Sequence, residues 1–394
     1  MEVCSEEAVK YVWEGAIPLQ VHLHESEVTT LPPPPPALVL GSRIGYFPLL
    51  VPLIKPYFSS ALPPGEDTVW FDYNGLPLKW YVPVGVLFDL LCAEPERPWN
   101  ITVHFRGYPG EVLTPCEGED SVKWSYINSL KEASYVITGN CKNVMNMSQA
   151  DQFDLWQSLV KGNMDGYLRI SSRLKLGPLG EDCILKRSSS LQPRQATDEP
   201  EIVGFNRPTQ IRTPVIMVYT RDPSVASICD AYELFFKGRI PVRLYLRNVD
   251  DNLEDLEDAP TIDSWERISY INRAVEIHKE GGNYMTLKHA MRTLLPEIFD
   301  EVPMLIHEAG AEGNHEADSC FADSETVSVT RNDLVEETSC TNQQSNKAKL
   351  IRIQGIEPDL DIPFSWVVNN LKYPDYFLHI CVFVRATSPQ AKST

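Results

Sequence analysis

The sequence has no stretch of roughly 18 or more apolar residues, so nothing in it reads as a membrane span. It has no C-x-x-C pair, and its nine cysteines are scattered and odd in number, which gives no disulfide framework. A reducing cytosol is the reading that follows. The N-x-S/T matches at Asn100 and Asn146 are then chance, because the chain would not meet a glycosyl transferase. Met1 to Trp13 mixes Glu, Lys and Val without an apolar core and does not read as a signal peptide. Positive charge is also short: 35 Lys and Arg stand against 54 Asp and Glu, a net charge of -19. Duplex nucleic acid needs clustered cations, so no nucleic-acid partner is expected. Part of the negative charge sits in a local run from Asp250 to Asp258.

Signatures of chemistry are missing as well. There is no P-loop, H-E-x-x-H, G-x-S-x-G or dinucleotide fingerprint, and no cofactor or metal is expected. His22 and His24 share a strand face without a nearby third ligand and read as a polar face. His307 and His315 flank a Gly- and Glu-rich loop with the wrong spacing for a zinc protease. The acids Asp250, Asp251, Glu254 and Asp255 read as a solvated run. His104 and Cys92 fall in expected core elements, which suits a structural role better than a hydrolase or transferase site. No cysteine has the cationic or His-rich surroundings of a nucleophile.

What the sequence does have is a duplication. Gly75, Pro83 and Leu91 are spaced by eight positions each, and so are Gly355, Pro363 and Leu371. Each segment continues through a proline turn (Pro98, Pro374) into a β-rich run containing a histidine (Asn100 to Phe105, Tyr376 to Cys381). In the first copy, Val69 to Tyr73 and Leu78 to Val82 read as strands joined at Asn74-Gly75. The proline then opens a helix with apolar positions Val84, Leu87, Phe88 and Leu91, matched by Phe364, Val367, Val368 and Leu371.

Upstream of each copy lies an alternating strand. One has Ile17, Leu19, Val21 and Leu23 inward with Gln20, His22 and His24 on the other face. The other has Ile240, Val242, Leu244 and Leu246 interleaved with Arg243 and Tyr245. A helix over Thr286 to Phe299 would follow in the second copy. In the first, Pro48, Pro52 and Pro56 conflict with a long helix, since each interior proline costs about 3 kcal/mol, and two short turns are the alternative. Two strands, helix, two strands, short helix and strand is the order of a ubiquitin-like β-grasp fold, present twice.

Between the copies the pattern is helical. Asp120 or Ser121 is the expected cap of a helix reaching about Val136, with Val122, Tyr126, Ile127, Leu130 and Ile137 on one face. Ser148 caps a second, with Phe153, Leu155, Trp156 and Leu159 apolar, and Asp165 is the expected start of a third, with Tyr167, Leu168 and Leu174. The fold class is therefore α+β, two β-grasp domains flanking a helix-rich domain. Boundaries are set at 6–112, 118–180, a linker and atypical insertion at 181–237, and 238–388 with a disordered acidic insertion at about 305–347. Arg187 to Arg212 is linker-like, and Pro32 to Pro36 reads as a stiff polyproline loop more readily than as an SH3 or WW ligand.

Lys131, in Asn128-Ser129-Leu130-Lys131-Glu132-Ala133-Ser134, sits one position past the apolar stripe, at the edge of a structured surface. Taken alone it is an ordinary helix lysine, and Lys123 and Lys142 look no different.

Longer matches now add to this reading. Tyr11-Val12-Trp13-Glu14-Gly15-Ala16-Ile17-Pro18, Trp70-Phe71-Asp72-Tyr73, Pro77-Leu78-Lys79-Trp80, Leu87 to Leu91, Pro98 to Phe105 and Ile353 to Pro358 resemble the autophagy protein 5 family, specifically its plant members. The likeness covers about 6–180, 238–300 and 348–386. From about Gly204 to Lys237, including Thr213 to Tyr219, no family counterpart is evident.

The resemblance implies two ubiquitin-like domains flanking a helix-rich one, in a cytoplasmic protein recruited to the phagophore assembly site membrane. It implies a non-catalytic scaffold joined by an isopeptide bond to the C-terminal glycine of autophagy protein 12. The family's acceptor motif, Lys-Glu-Ala after an apolar residue, falls on Lys131. The implied partners are the E1-like autophagy protein 7, the E2-like autophagy protein 10 and the coiled-coil autophagy protein 16. The conjugate would act like an E3 in lipidation of autophagy protein 8. An unconjugated double ubiquitin-like adaptor is the alternative.

Overall fold

The computed structural model describes residues 5–176, 239–250, 261–277, 285–299 and 348–386. The expectations for 181–237 and 305–347, for His307 and His315, and for the acidic run past Asp250 lie outside the described residues.

The chain opens with α1 (Ser5–Glu14), whose Val12 and Trp13 are buried. The first β-grasp domain then runs β1 (Ala16–Leu23), β2 (Ala37–Ser42), α2 (Val51–Phe58), β3 (Trp70–Tyr73), β4 (Leu76–Pro77), α3 (Val84–Leu91) and β5 (Trp99–His104). Its sheet order is β2-β1-β5-β3-β4, with β5 parallel to β1 and the other pairs antiparallel. Ile17, Leu19, Val21 and Leu23 face the core, as their alternation requires. The proline-rich segment resolves into a 3-10 turn at Phe47–Leu50 followed by the two-turn α2. Pro52 sits in the first turn of α2, where its missing N–H has no partner to lose. The strand expected over Leu78 to Val82 is not formed. Pro77 ends a two-residue strand, and the chain turns where the Val82 amide donates to the Lys79 carbonyl (3.0 Å).

Helices follow: α4 (Glu119–Thr138), α5 (Lys142–Met145), α6 (Gln149–Val160) and α7 (Met164–Ser171). The caps differ in part from expectation. Gly118, not Asp120 or Ser121, is the N-cap of α4, while the Ser121 hydroxyl accepts from the Glu117 amide (2.8 Å). Ser148 caps α6 as expected, accepting from the Asp151 amide. Asn163 caps α7 through the Gly166 amide, which places Asp165 inside the first turn. Phe153 is 54% exposed, because α6 buries Leu155, Trp156 and Leu159 and Phe153 falls outside that arc.

The second β-grasp domain comprises β6 (Arg239–Asp250), β7 (Ile268–Glu276), α8 (Leu287–Leu294), α9 (Pro296–Phe299), β8 (Ala348–Arg352), α10 (Phe364–Leu371) and β9 (Leu378–Ala386). Its sheet order is β7-β6-β9-β8, again with the last strand parallel to the first. The helix expected over Thr286 to Phe299 is broken, since Pro296 cannot continue α8. Its apolar residues Leu287, Met291, Leu294 and Leu295 are all buried.

The duplication extends to backbone detail. Asn74-Gly75 and Gln354-Gly355 both adopt positive φ (52° and 83°, 56° and 74°), as a tight hairpin turn demands. Pro83 and Pro363 occupy the N-cap positions of α3 and α10. Where the first copy has β4, the described second copy has a single bridge, Ile353 to Ile356.

The outward face of the second sheet is covered along β6. Arg243 and Tyr245 alternate with the core residues of β6, yet both are buried. Helix α4 packs on β6, and α3 of the first domain packs on β9. Two guanidinium groups seal the second contact. Arg247 donates to the Leu90 and Leu91 carbonyls (3.1 and 2.8 Å), and Arg352 donates to those of Cys92 and Ala93 (both 2.7 Å). The last carbonyls of a helix lack intrahelical donors and carry partial negative charge, so cations from the second domain complete the end of α3. The buried Arg43–Asp89 ion pair adds to this seam, with the Asp89 carboxylate accepting from the Gly355 amide (2.7 Å). Apolar residues of both sheets and of the helices join in one continuous core.

Candidate functional site

Helix α4 carries the residue singled out by sequence. One face of it enters the core through Val122, Tyr126, Ile127, Leu130 and Ala133, while Ile137 is only half-buried. Gly139, at φ 78°, closes the helix in the left-handed conformation that favours glycine. The Trp156 indole donates to Glu119 (2.6 Å), tying α6 to the start of α4. The hydroxyls of Tyr126 and Tyr167 both donate to the Pro374 carbonyl of the second domain. Burial holds both phenols well above their ordinary value, so both stay neutral and keep the proton they donate.

The opposite face of α4 is open. Trp124, Asn128, Lys131 and Tyr135 follow helical spacing and lie on one stripe. Trp124 is 54% and Tyr135 60% exposed, and Lys131 lies half-buried between them. The Lys131 ammonium donates to the Asn128 side-chain oxygen at 3.3 Å. Among the described residues no carboxylate pairs with it. The neighbouring acid, Glu132, points elsewhere and accepts from Arg243 of β6 at 3.0 Å. The same guanidinium donates to Ser129 (2.9 Å) and to the buried Asp375 (3.1 Å), and it lies 3.7 Å over the Phe377 ring. Burial raises the Asp375 carboxyl, but His379 and Arg243 outweigh it and hold the group below the ordinary carboxylate range. Leu130 and Ala133 therefore lie in the core, Lys131 is half-buried on the open stripe, and Glu132 bonds the Arg243 anchor.

Lys123 is half-buried earlier on the same helix, and Lys142 is exposed on α5. Neither stands between residues pinned by the sheet. Sequence reasoning reached Lys131 but missed its setting. Trp124 and Tyr135 fall outside the apolar stripe, and Arg243 reads only as interleaved with the apolar positions of its strand. A cation interleaved with Val242, Leu244 and Leu246 is the available signal, although the same strand carries others at Arg239 and Arg247.

The histidines form a second cluster. His22 is exposed, with Nε2 3.1 Å from the Gln20 amide, and His24 stacks on His104 with ring centroids 4.4 Å apart. His104, a third histidine that the strand-face reading of His22 and His24 left out, is sandwiched against Trp70 at 3.7 Å. It contacts Asp72 at 2.5 Å, and its other nitrogen is 3.9 Å from Glu27. Glu27 in turn accepts from the Phe105 and Arg106 amides (2.8 and 3.1 Å), so the cluster locks the end of β5. A shallow cavity of about 510 Å³ lies over it. Among the described residues no set of three or more His, Cys, Asp or Glu has an arrangement that would hold a metal. Cys92 is buried, and burial pushes its thiol up to about 12, which leaves little thiolate for nucleophilic work. No helix among the described residues is long and apolar enough to cross a membrane.

Comparison with known proteins follows this architecture. Three family models match in order: the UblA domain of autophagy protein ATG5 over 12–105, its alpha-helical bundle region over 119–177, and its UblB domain over 239–382. Autophagy protein 5 of Oryza sativa subsp. indica is 55% identical over 396 aligned residues, covering 98% of this chain and 96% of that protein. The range 204–237, which lacked a visible counterpart, falls within the span of that alignment. Autophagy protein 5 of Arabidopsis thaliana is 52% identical, covering 97% of this chain and 99% of its own length. The crystal structure of Kluyveromyces marxianus Atg5 superposes with a TM-score of 0.54 over 95% of this chain and 99% of that one, and at 16% identity it speaks for the fold alone. This chain belongs to the autophagy protein 5 family.

Proposed function

We propose that this chain is a non-catalytic cytoplasmic scaffold of autophagosome formation, joined through Lys131 to the C-terminal glycine of the ubiquitin-like autophagy protein 12. The observation that carries the reading is the open stripe of α4. Lys131 stands between exposed Trp124 and Tyr135, while the residues around it are held by the core and by Arg243. An enzyme carrying the modifier as a thioester can approach that stripe without disturbing a packed surface.

The reaction is an acyl transfer with this protein as substrate. The neutral Lys131 amine attacks the thioester carbonyl of the charged E2-like autophagy protein 10. A C–N bond forms, the C–S bond breaks, the thiolate leaves with the enzyme, and the nitrogen's surplus proton passes to a base. Lysine amines in general titrate near ~10.4 and are almost wholly protonated at neutral pH, so the enzyme must assist proton removal. The E1-like autophagy protein 7 supplies the activated modifier. The conjugate then binds an amphipathic segment of autophagy protein 16 where the three domains meet. At the phagophore membrane it promotes transfer of autophagy protein 8 to phosphatidylethanolamine by supplying geometry.

Reconstitution with the E1-like, E2-like and modifier proteins tests this reading. Wild type yields a product heavier by one modifier and Lys131→Arg yields none. Product at full level from the Lys131→Arg chain sinks the acceptor assignment. No product from either chain, with a working control substrate, favours the unconjugated adaptor.

A further inference from the structure

Lys123, Lys131 and Lys142 all lie in the helical domain, and the family motif marks Lys131 without giving a physical reason for its choice. The reason lies in the second β-grasp domain. Ser129 and Glu132 bracket Lys131 on α4, and a single guanidinium, that of Arg243, bonds both (2.9 and 3.0 Å). Arg243 is itself fixed. Its inner edge donates to Asp375, its face lies on Phe377, and it sits in β6 directly opposite His379 of β9. His379 contacts Asp375 (3.3 Å) and the Tyr245 hydroxyl (3.1 Å), and the Phe377 amide donates to Asp375 (3.1 Å). The anchor is thus a buried, mutually bonded set on the sheet, and two adjoining positions of α4 are attached to it.

We infer that Arg243 is a positioning residue for modifier attachment: by pinning Ser129 and Glu132 it fixes the height and rotation of α4 at Lys131, and so selects that lysine over Lys123 and Lys142. This rests on the reading of Lys131 as the acceptor. Attack on a thioester needs the amine within a narrow range of distance and direction, and small misplacements are costly in rate. Without the anchor, α4 keeps its core contacts through Leu130 and Ala133, but its turn about Lys131 is free to rock. Glu132 bonds Arg243, Asn128 and Tyr135 are the neighbours of Lys131 one turn away, and among the described residues no carboxylate pairs with its ammonium. The second ubiquitin-like domain thereby takes part in a reaction on the helical domain without touching the reacting atoms.

The test uses the full chain with the reconstituted enzymes, comparing wild type, Glu132→Gln, Ser129→Ala with Glu132→Gln, and Arg243→Gln. The helix-side variants remove the Glu132 charge and the Ser129 acceptor from exposed or half-buried positions, so they stand in if Arg243→Gln does not fold. Positioning predicts that kcat falls about tenfold or more with KM for the charged enzyme little changed. Branched peptides at Lys123 or Lys142 should appear beside the Lys131 branch. Combining Arg243→Gln with Glu132→Gln should be no worse than Arg243→Gln alone, since the Arg243–Glu132 ion pair is already lost in the single variant. The inference is overturned if every variant keeps wild-type kcat per folded molecule and modifies only Lys131, even where its melting temperature drops. A wild-type chain branched at some other lysine overturns the acceptor reading itself, a separate result read from the same peptide map.

Discussion

The two β-grasp domains repeat one fold and use its two faces differently. Ile17-Pro18-Leu19-Gln20-Val21-His22 and Ile240-Pro241-Val242-Arg243-Leu244-Tyr245 occupy the same strand of each copy, in the same parallel pairing with the last strand. Inward, the two are interchangeable: Leu19 and Val21 are as deeply buried as Val242 and Leu244. Outward, they diverge. Gln20 and His22 meet solvent with Asn100, and on the edge strand Leu38 and Leu40 are about two-thirds exposed at 67% and 68%. Arg243, Tyr245 and Arg247 are covered by α4 and α3. The first sheet is thus a one-sided layer, and the second is the hub against which the other two domains are set. Alternation reports a strand's two faces, but it does not say whether the outer one is wet.

Inward equivalence gives the largest expected effects. Leu91→Ala and Leu371→Ala, at matched positions of α3 and α10, should each destabilise the chain by about 2–5 kcal/mol in urea unfolding. Unequal costs, with one variant near neutral, would break the comparison at its core. The hub comes next. Arg247→Met or Arg352→Met strips donors from the buried end of α3 and should cost about 2–4 kcal/mol each.

The residues after the two helices sharpen the contrast further. Cys92 and Lys372 are matched C-caps, and burial disfavours the charged form of each, pushing the lysine down to about 7. Because the Lys372 value is depressed from 10.5, its contribution to stability is fully present above that value and is lost as pH falls through about 7. Lys372→Met should therefore flatten the rise in stability between pH 7 and 10, and below pH 7 should exceed wild type by on the order of a few kcal/mol. Parallel pH profiles for the two chains would contradict this. The smallest effects belong to the open face, where Gln20→Ala and His22→Ala should stay within about 0.5 kcal/mol of wild type.

Much of the fold was legible because it follows local rules. The Gly-Pro-Leu spacing locates the turn and the short helix in both copies, and the alternating strands name their own core residues. The errors have physical causes. Gly118 and Asn163 displaced the expected caps because several capping residues stood close together and the first turn was decided by packing. Phe153 counts among the apolar residues of α6, but its angle around the helix leaves it exposed. The strand over Leu78 to Val82 is absent because the ladder ends with the Leu78 amide bonding the Phe71 carbonyl (2.8 Å), and the chain then turns between Lys79 and Val82. The candidate site was half legible. Lys131 was marked by the family motif, whereas Arg243, Ser129 and Asp375 meet only after three separate chain segments have folded together.

The claim on which the account turns is that Lys131 is the point of attachment, and a peptide map of the wild-type conjugate tests it most directly. Digestion and tandem mass spectrometry of the reconstituted product should show the modifier's C-terminal glycine linked to the Lys131 amine. A branch at Lys123, Lys142 or any lysine outside α4 would contradict it.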